Sequence, residues 1–183
     1  MSKTGIFMAE GCEEIEGLTV VDILRRAGLE TEMISISATD SVTGSHGITF
    51  HTDSIFENVN FESFDAIVLP GGMPGTLNLG EHEGVGRIIR EFAENGKLVA
   101  AICAAPSVLG AAGILQNRHA ACHPGFEPKL TGAITSEDTV VTDGNIITSR
   151  GMGTAIDFAL AIVKYLKDEE TVNDLKQKLV YHH

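Results

Sequence analysis

Short apolar runs alternate along the chain with longer segments whose apolar positions recur at helical spacing. This is the pattern of strands and helices in an α/β domain with a mostly parallel sheet. Residues 4–9 (TGIFMA) read as a first strand, 14–27 as a helix and 30–36 as a second strand, with Gly28 placed to cap the helix in the left-handed region. A polar turn, SVTGSHG, precedes a short β-like piece at 48–51, and residues 65–69 form a strand that runs into PGGMPG. A helix over 84–94, a strand over 97–102 and a helix from about Ala105 come next, followed by a strand over 118–122. In TVVTDGNIITS, Asp143 and Gly144 are the preferred pair for a type I′ turn, so a hairpin interrupts the βα alternation there. Residues 154–167 and the more polar EETVNDLKQKLV close the chain as helices, and the terminal His182 and His183 are expected to be unordered.

The 183 residues fit one domain, 1–183, with neither linker nor internal repeat, and an apolar content of 43% supplies a core for it. The longest apolar run, 98–115, reaches roughly the lower limit for a membrane span. It is mostly alanine and glycine and is interrupted by Pro106 and Ser107, so a buried strand followed by a buried helix accounts for it better than a bilayer does. A formal charge of −12 argues against nucleic acid and anionic lipid as partners, since both call for a basic surface. The first residues are too briefly apolar for a signal peptide and run into an acidic cluster, so the expected location is the cytoplasm. Cys12, Cys103 and Cys122 form an odd, widely spaced set with no CxxC pair, which suits reduced thiols rather than disulfides or a zinc site.

Chemistry concentrates where strands give way to helices. Cys103, in AICAAPS, stands at such a turn, at the carboxyl edge of the sheet where open α/β folds bind ligands. Pro106 suits the first turn of a helix, whose N-terminus would favour the thiolate and lower the thiol pKa. The alternative is a small buried hydrophobe. Glu16 shares the apolar stripe of the first helix with Val20, Ile23, Leu24 and Ala27, and the same end of that helix faces the same sheet edge. It is either a desolvated carboxyl able to exchange protons near neutral pH, or a helix acid leaning into water; Glu13 and Glu14 fit the second description better. Gly71 and Gly72 could present amides to an oxyanion, or could simply turn the chain. His123, in ACHPG, could assist a nearby thiol or be structural, while Cys12 and Cys122 are read as structural. GxGxxG is absent and the histidines lack metal-ligand spacing, so neither cofactor nor metal is expected.

Together EGCEEIE, LPGGMPG, AICAAPS, HPG and TSRGMGT resemble the ThiJ/PfpI superfamily, specifically its parkinsonism-associated protein deglycase, or glyoxalase III-like, branch, and the resemblance spans nearly the whole chain. It implies a flavodoxin-like three-layer α/β sandwich with a β-hairpin and a C-terminal helix, a homodimer, and a reactive Cys103 hydrogen-bonded to a protonated Glu16. It also implies oxyanion donors at the amides of Gly72 and Ala104, with His123 in support. The sequence departs from the superfamily's patterns in three places. Ala104 replaces the histidine of protease-like members, Ala105 replaces a usual glycine, and His46 stands where the branch commonly has arginine.

The implied activity is cofactor-independent processing of small α-oxoaldehydes, such as methylglyoxal and glyoxal, or of their adducts. The alternative is a redox-sensing or chaperone-like protein using the same oxidisable cysteine. A cysteine peptidase comes third, and Ala104 counts against it.

Overall fold

The computed structural model describes residues 2–182; the expectation for His183 lies outside them. β1 (Lys3–Met8) leads to α1 (Glu14–Arg26) and β2 (Glu30–Ser35). An excursion follows: β3 (Ser41–Thr43), β4 (Thr49–His51) and β5 (Ser54–Ile55). The chain then forms β6 (Ala66–Leu69), α2 (Gly75–Glu81), α3 (Glu83–Glu94), β7 (Leu98–Ile102) and α4 (Pro106–Ala111). Finally come β8 (His119–Ala120), β9 (Ile134–Thr135), β10 (Val140–Asp143), β11 (Ile146–Ser149), α5 (Ala155–Leu166) and α6 (Glu169–Lys178).

Seven strands make one sheet in the order β10-β11-β7-β6-β1-β2-β5, parallel except for the β10–β11 hairpin. Its central strands β6 and β7 are buried on both faces, which is why their sequences are continuously apolar. Successive residues alternate between two cores. Ile6, Met8, Val68, Ala100 and Ile102 join α1 and α5 on one side; Phe7, Ile67, Leu69, Val99 and Ala101 join α3 and α4 on the other. The result is the three-layer α/β sandwich expected from the sequence. Gly28 caps α1 at φ 73°, and the Gly28 and Leu29 amides donate to the Arg25 and Leu24 carbonyls, each at 3.0 Å. No helix among the described residues is long and apolar enough to cross a membrane.

Three expectations change. SVTGSHG is not all turn, because its first three residues are β3, paired antiparallel with β4. The strand expected over 118–122 shrinks to β8, which pairs with β9 outside the main sheet; the Asp143 carboxylate takes the His119 amide at 2.8 Å, and the Thr148 hydroxyl takes the Ala121 amide at 2.9 Å. PGGMPG, finally, leads into a helix, α2, that the sequence reading lacked.

The α1–sheet–α5 layer depends on Phe158, which is fully buried. Phe158→Ala is expected to cost about 3–5 kcal/mol, read as a lowered urea midpoint with unchanged slope.

Candidate active site

Neighbouring parallel strands β1, β6 and β7 end side by side, so the turns that follow them converge at one edge. The chain leaves β1 and β6 in opposite directions across the sheet, and such a switch point opens the crevice in which α/β proteins bind ligands. The β1 turn delivers Glu16 on the first turn of α1, the β6 turn delivers Gly71 and Gly72, and the β7 turn delivers Cys103.

Glu16 is 1% exposed and does not lean into water. Its Oε2 accepts the Gly71 amide at 2.8 Å, while Oε1 is buried without a hydrogen bond. A Cβ added to Gly71 would lie 2.7 Å from Cys103 Cβ and 2.8 Å from Glu16 Oε2, so the absence of a side chain there lets thiol and carboxyl meet. At Gly72, with φ 90°, a Cβ would stand 2.2 Å from the Glu13 nitrogen. Both positions therefore require glycine for this close approach.

Cys103 has φ 65°, a left-handed conformation that costs a non-glycine residue about 1–2 kcal/mol. The surroundings hold it there. Its amide donates to the Ser149 carbonyl at 3.0 Å, and its carbonyl accepts the His123 amide at 2.8 Å. This strained strand-to-helix turn has the logic of a nucleophile elbow, lifting the side chain above the sheet edge. Cys103 is partly exposed, whereas Cys12 and Cys122 are buried, with their thiols pushed up by burial to about 12 and about 11.

The thiol is not acidified as its helix-start position suggested. Burial, then the charge of the Glu16 carboxylate and its pull on the thiol proton, push Cys103 up to about 12, against the Ala104 and Gly72 amides, which favour thiolate. Burial likewise lifts Glu16 to about 7, against the Gly71 amide and Cys103. A carboxyl at that value is available both as acid and as base near neutral pH.

His123 reaches Cys103 through the main chain. Its Nδ1 lies 3.0 Å from the Pro124 carbonyl, which assigns the proton to Nδ1 and leaves Nε2 as the acceptor; the ring is exposed and packs edge-on against Phe126 at 6.2 Å. Glu14 corrects the expectation of a solvated helix acid. It is 3% exposed and its Oε1 accepts the His46 amide at 2.9 Å and the Ile48 amide at 3.3 Å. Burial would raise this carboxyl, but those amides, that of Glu14 itself and the His46 ring hold it below its usual range. Glu13, Glu14 and His46 place one ligand-type atom each within 4.8 Å of one another, making them the cluster among the described residues able to hold a cation. The helical periodicity of α1 could not reveal this, because the partner atoms come from the 44–48 loop.

The proton on Glu16 makes stability depend on pH. Glu16 holds it more tightly when folded, at about 7, than at its ordinary 4.5, so the stabilising contribution is complete below about pH 4.5 and is lost as pH rises through 7. Urea titrations at a series of pH values are expected to show Glu16→Gln gaining about 3 kcal/mol on the wild type between pH 4.5 and 8. Parallel profiles would contradict this.

The DJ-1/PfpI family pattern matches residues 2–165. Protein dj-1beta of Drosophila melanogaster is 37% identical, with 98% of each chain covered. The Caenorhabditis elegans glutathione-independent glyoxalase DJR-1.2 is 38% identical over 93% of this chain and 91% of its own. The solved structure of oxidized Toxoplasma gondii DJ-1 superposes with a TM-score of 0.96 at 33% identity, covering both chains completely. Sequence motifs, fold and relatives agree over nearly the entire length, and the chain belongs to the DJ-1/PfpI family.

Proposed function

We propose that the protein is a cofactor-independent glyoxalase or deglycase, acting on small α-oxoaldehydes such as methylglyoxal, or on their adducts, through Cys103 and Glu16. The observation that carries this reading is a buried carboxyl near neutrality, with one oxygen held by the Gly71 amide and the other unbonded, beside the one partly exposed thiol. The glyoxalase name of the nematode relative supports the same chemistry.

In this reading the Cys103 proton passes to the Glu16 carboxylate as sulfur attacks the aldehyde carbon. Protonation of Glu16 removes the negative charge that otherwise opposes thiolate. The aldehyde oxygen becomes the hemithioacetal oxyanion and takes the Gly72 and Ala104 amides. Glu16, returned to carboxylate as its proton goes to that oxygen, removes the hydrogen from the former aldehyde carbon to form an enediolate; the hydroxyl proton passes to the neighbouring oxygen, and Glu16 delivers the hydrogen to the neighbouring carbon as the C=O of the thioester forms. The result is a 2-hydroxy thioester. Water cleaves its C–S bond, releasing hydroxyacid and restoring the thiol. No electrons leave the substrate–water pair, so the cycle consumes no redox partner. His123, through Nε2, is assigned a supporting role on the attacking water.

A second reading uses the same thiol as a peroxide sensor. Two peroxides each give one oxygen to sulfur and leave as water, forming a sulfinate that a protonated Glu16 can cap. The vacant bond at Glu16 Oε1 favours it, and the Toxoplasma relative is described as oxidized. Under either reading the protein is expected to work as a homodimer, with Ile15 and Ile48 among the large apolar side chains it leaves exposed.

Incubation with methylglyoxal, without glutathione, is expected to yield lactate with the wild type and none above buffer with Cys103→Ala. Glu16→Gln should slow turnover by about 100-fold or more; undiminished turnover would refute the proton-transfer role. Under mild peroxide, mass spectrometry is expected to find two added oxygens on Cys103 before any on Cys12 or Cys122, and an untouched Cys103 removes the sensor reading.

A further inference from the structure

A groove of about 360 Å³ runs between α2 and α4, the helices that follow the Gly72 and Cys103 turns, within the size range of small-ligand sites. Met73, Leu77, Val108, Ala111 and Phe126 give it apolar walls, and Lys129 stands among them. Met73 and Leu77 are 42% and 53% exposed, a cost in water that an apolar occupant would remove.

The groove is continuous with the catalytic turns. Met73 directly follows Gly72, and Ser107, on the groove wall, donates its hydroxyl to the Ala104 carbonyl at 2.6 Å. Phe126 donates its amide to the His123 carbonyl at 3.0 Å, and His123 in turn is bonded to the Cys103 carbonyl. The turns that carry Gly72, Cys103 and His123 thus lead directly into the segments that wall the groove.

Lys129 shows what the far part of an occupant should carry. Lys129 Nζ lies 5.0 Å over the centre of the Phe126 ring and enters no ion pair among the described residues, although the chain carries a net charge of −12. An apolar slot with a free cation fits a molecule with an apolar body and an anionic end.

We propose that this groove is the second half of the substrate site, holding the aryl or branched-alkyl body of an α-oxoaldehyde larger than methylglyoxal, with a distal carboxylate on Lys129. The inference rests on the α-oxoaldehyde reading above and specifies its substrate class. Met73, Leu77 and Phe126 are then specificity residues: they touch the part of the substrate that does not react, and that binding energy is available to the reacting end.

The test compares kcat/KM for methylglyoxal, phenylglyoxal and 4-carboxyphenylglyoxal. Phenylglyoxal is expected to exceed methylglyoxal by about 10-fold or more, given that a single methylene in an apolar pocket is worth about 10–200-fold. The carboxylated substrate should gain several-fold again, a gain erased by Lys129→Ala and reduced by salt. Leu77→Asp should lower phenylglyoxal turnover about 10-fold and leave methylglyoxal within about 2-fold. Equal preference for the substrates, or equal loss of both in Leu77→Asp, would overturn the groove.

Binding separates this inference from the activity. Benzoylformate, a 2-oxo acid with no aldehyde to process, is expected to shift the Met73, Leu77 and Val108 methyl resonances of Cys103→Ala, and 4-carboxybenzoylformate, whose second carboxylate is distal, to shift them more, a surplus lost when Lys129→Ala is added. Such shifts without turnover of any aldehyde would uphold the groove and defeat the glyoxalase reading. Cys103-dependent lactate with neither a phenylglyoxal preference nor shifts would uphold the activity and defeat the groove.

Discussion

Glu16 and Cys103 can share one edge of the sheet because residue 71 brings no side chain between them. A Cβ there would touch both, and the Gly71 amide, freed from that crowding, takes the inner oxygen of the carboxyl. The rest follows from this spacing. Three adjacent parallel strands bring their turns together, the left-handed Cys103 lifts sulfur above the edge, and α1 enters low enough to put a carboxyl against it. The strain at Cys103 is held by bonds from the end of β11 and from the loop after β8, so the nucleophile's position depends on distant segments rather than on its own turn alone.

The electrostatics depend on the same closeness. Burial disfavours charge on both acids, the Glu16 carboxylate opposes thiolate, and the Cys103 thiol favours the carboxylate, so the pair is best regarded as holding a shared proton. The Gly72 and Ala104 amides pull toward thiolate and the Gly71 amide toward carboxylate. An incoming electrophile that draws electrons from sulfur settles the contest, because the proton can then stay on Glu16. A lone thiol at a short helix start would have no such partner.

How much of this was legible in the sequence depended on whether a feature was local. The Glu16 stripe is a property of one helix, and its members are all buried as the periodicity implied. The β10–β11 hairpin and the cap at Gly28 likewise rest on a few residues each, although the hairpin turns at Gly144-Asn145 with only Gly144 at positive φ, and not as a type I′ turn on Asp143-Gly144. Features made by distant segments did not announce themselves. The strand expected over 118–122 lost most of its length because two side chains from β10 and β11 took amides a ladder would have used. α2 was hidden behind glycines and prolines that read as punctuation, although its first turn is fixed by the Gly75 amide bonding to the Gly11 carbonyl. The pKa of Cys103 depended on a carboxylate 87 positions away in the chain, which no reading of its own turn could weigh.

Glu14 holds the 44–48 loop chiefly by two amides, those of His46 and Ile48, while the His46 ring adds a contact to its other oxygen at 3.3 Å. The two amide bonds do not depend on which side chain residue 46 carries, so the loop's course can persist when that side chain changes. The position behaves as an interchangeable fitting: its charge, reach and affinity for ions can be altered over evolutionary time while the catalytic turn beside it keeps its shape.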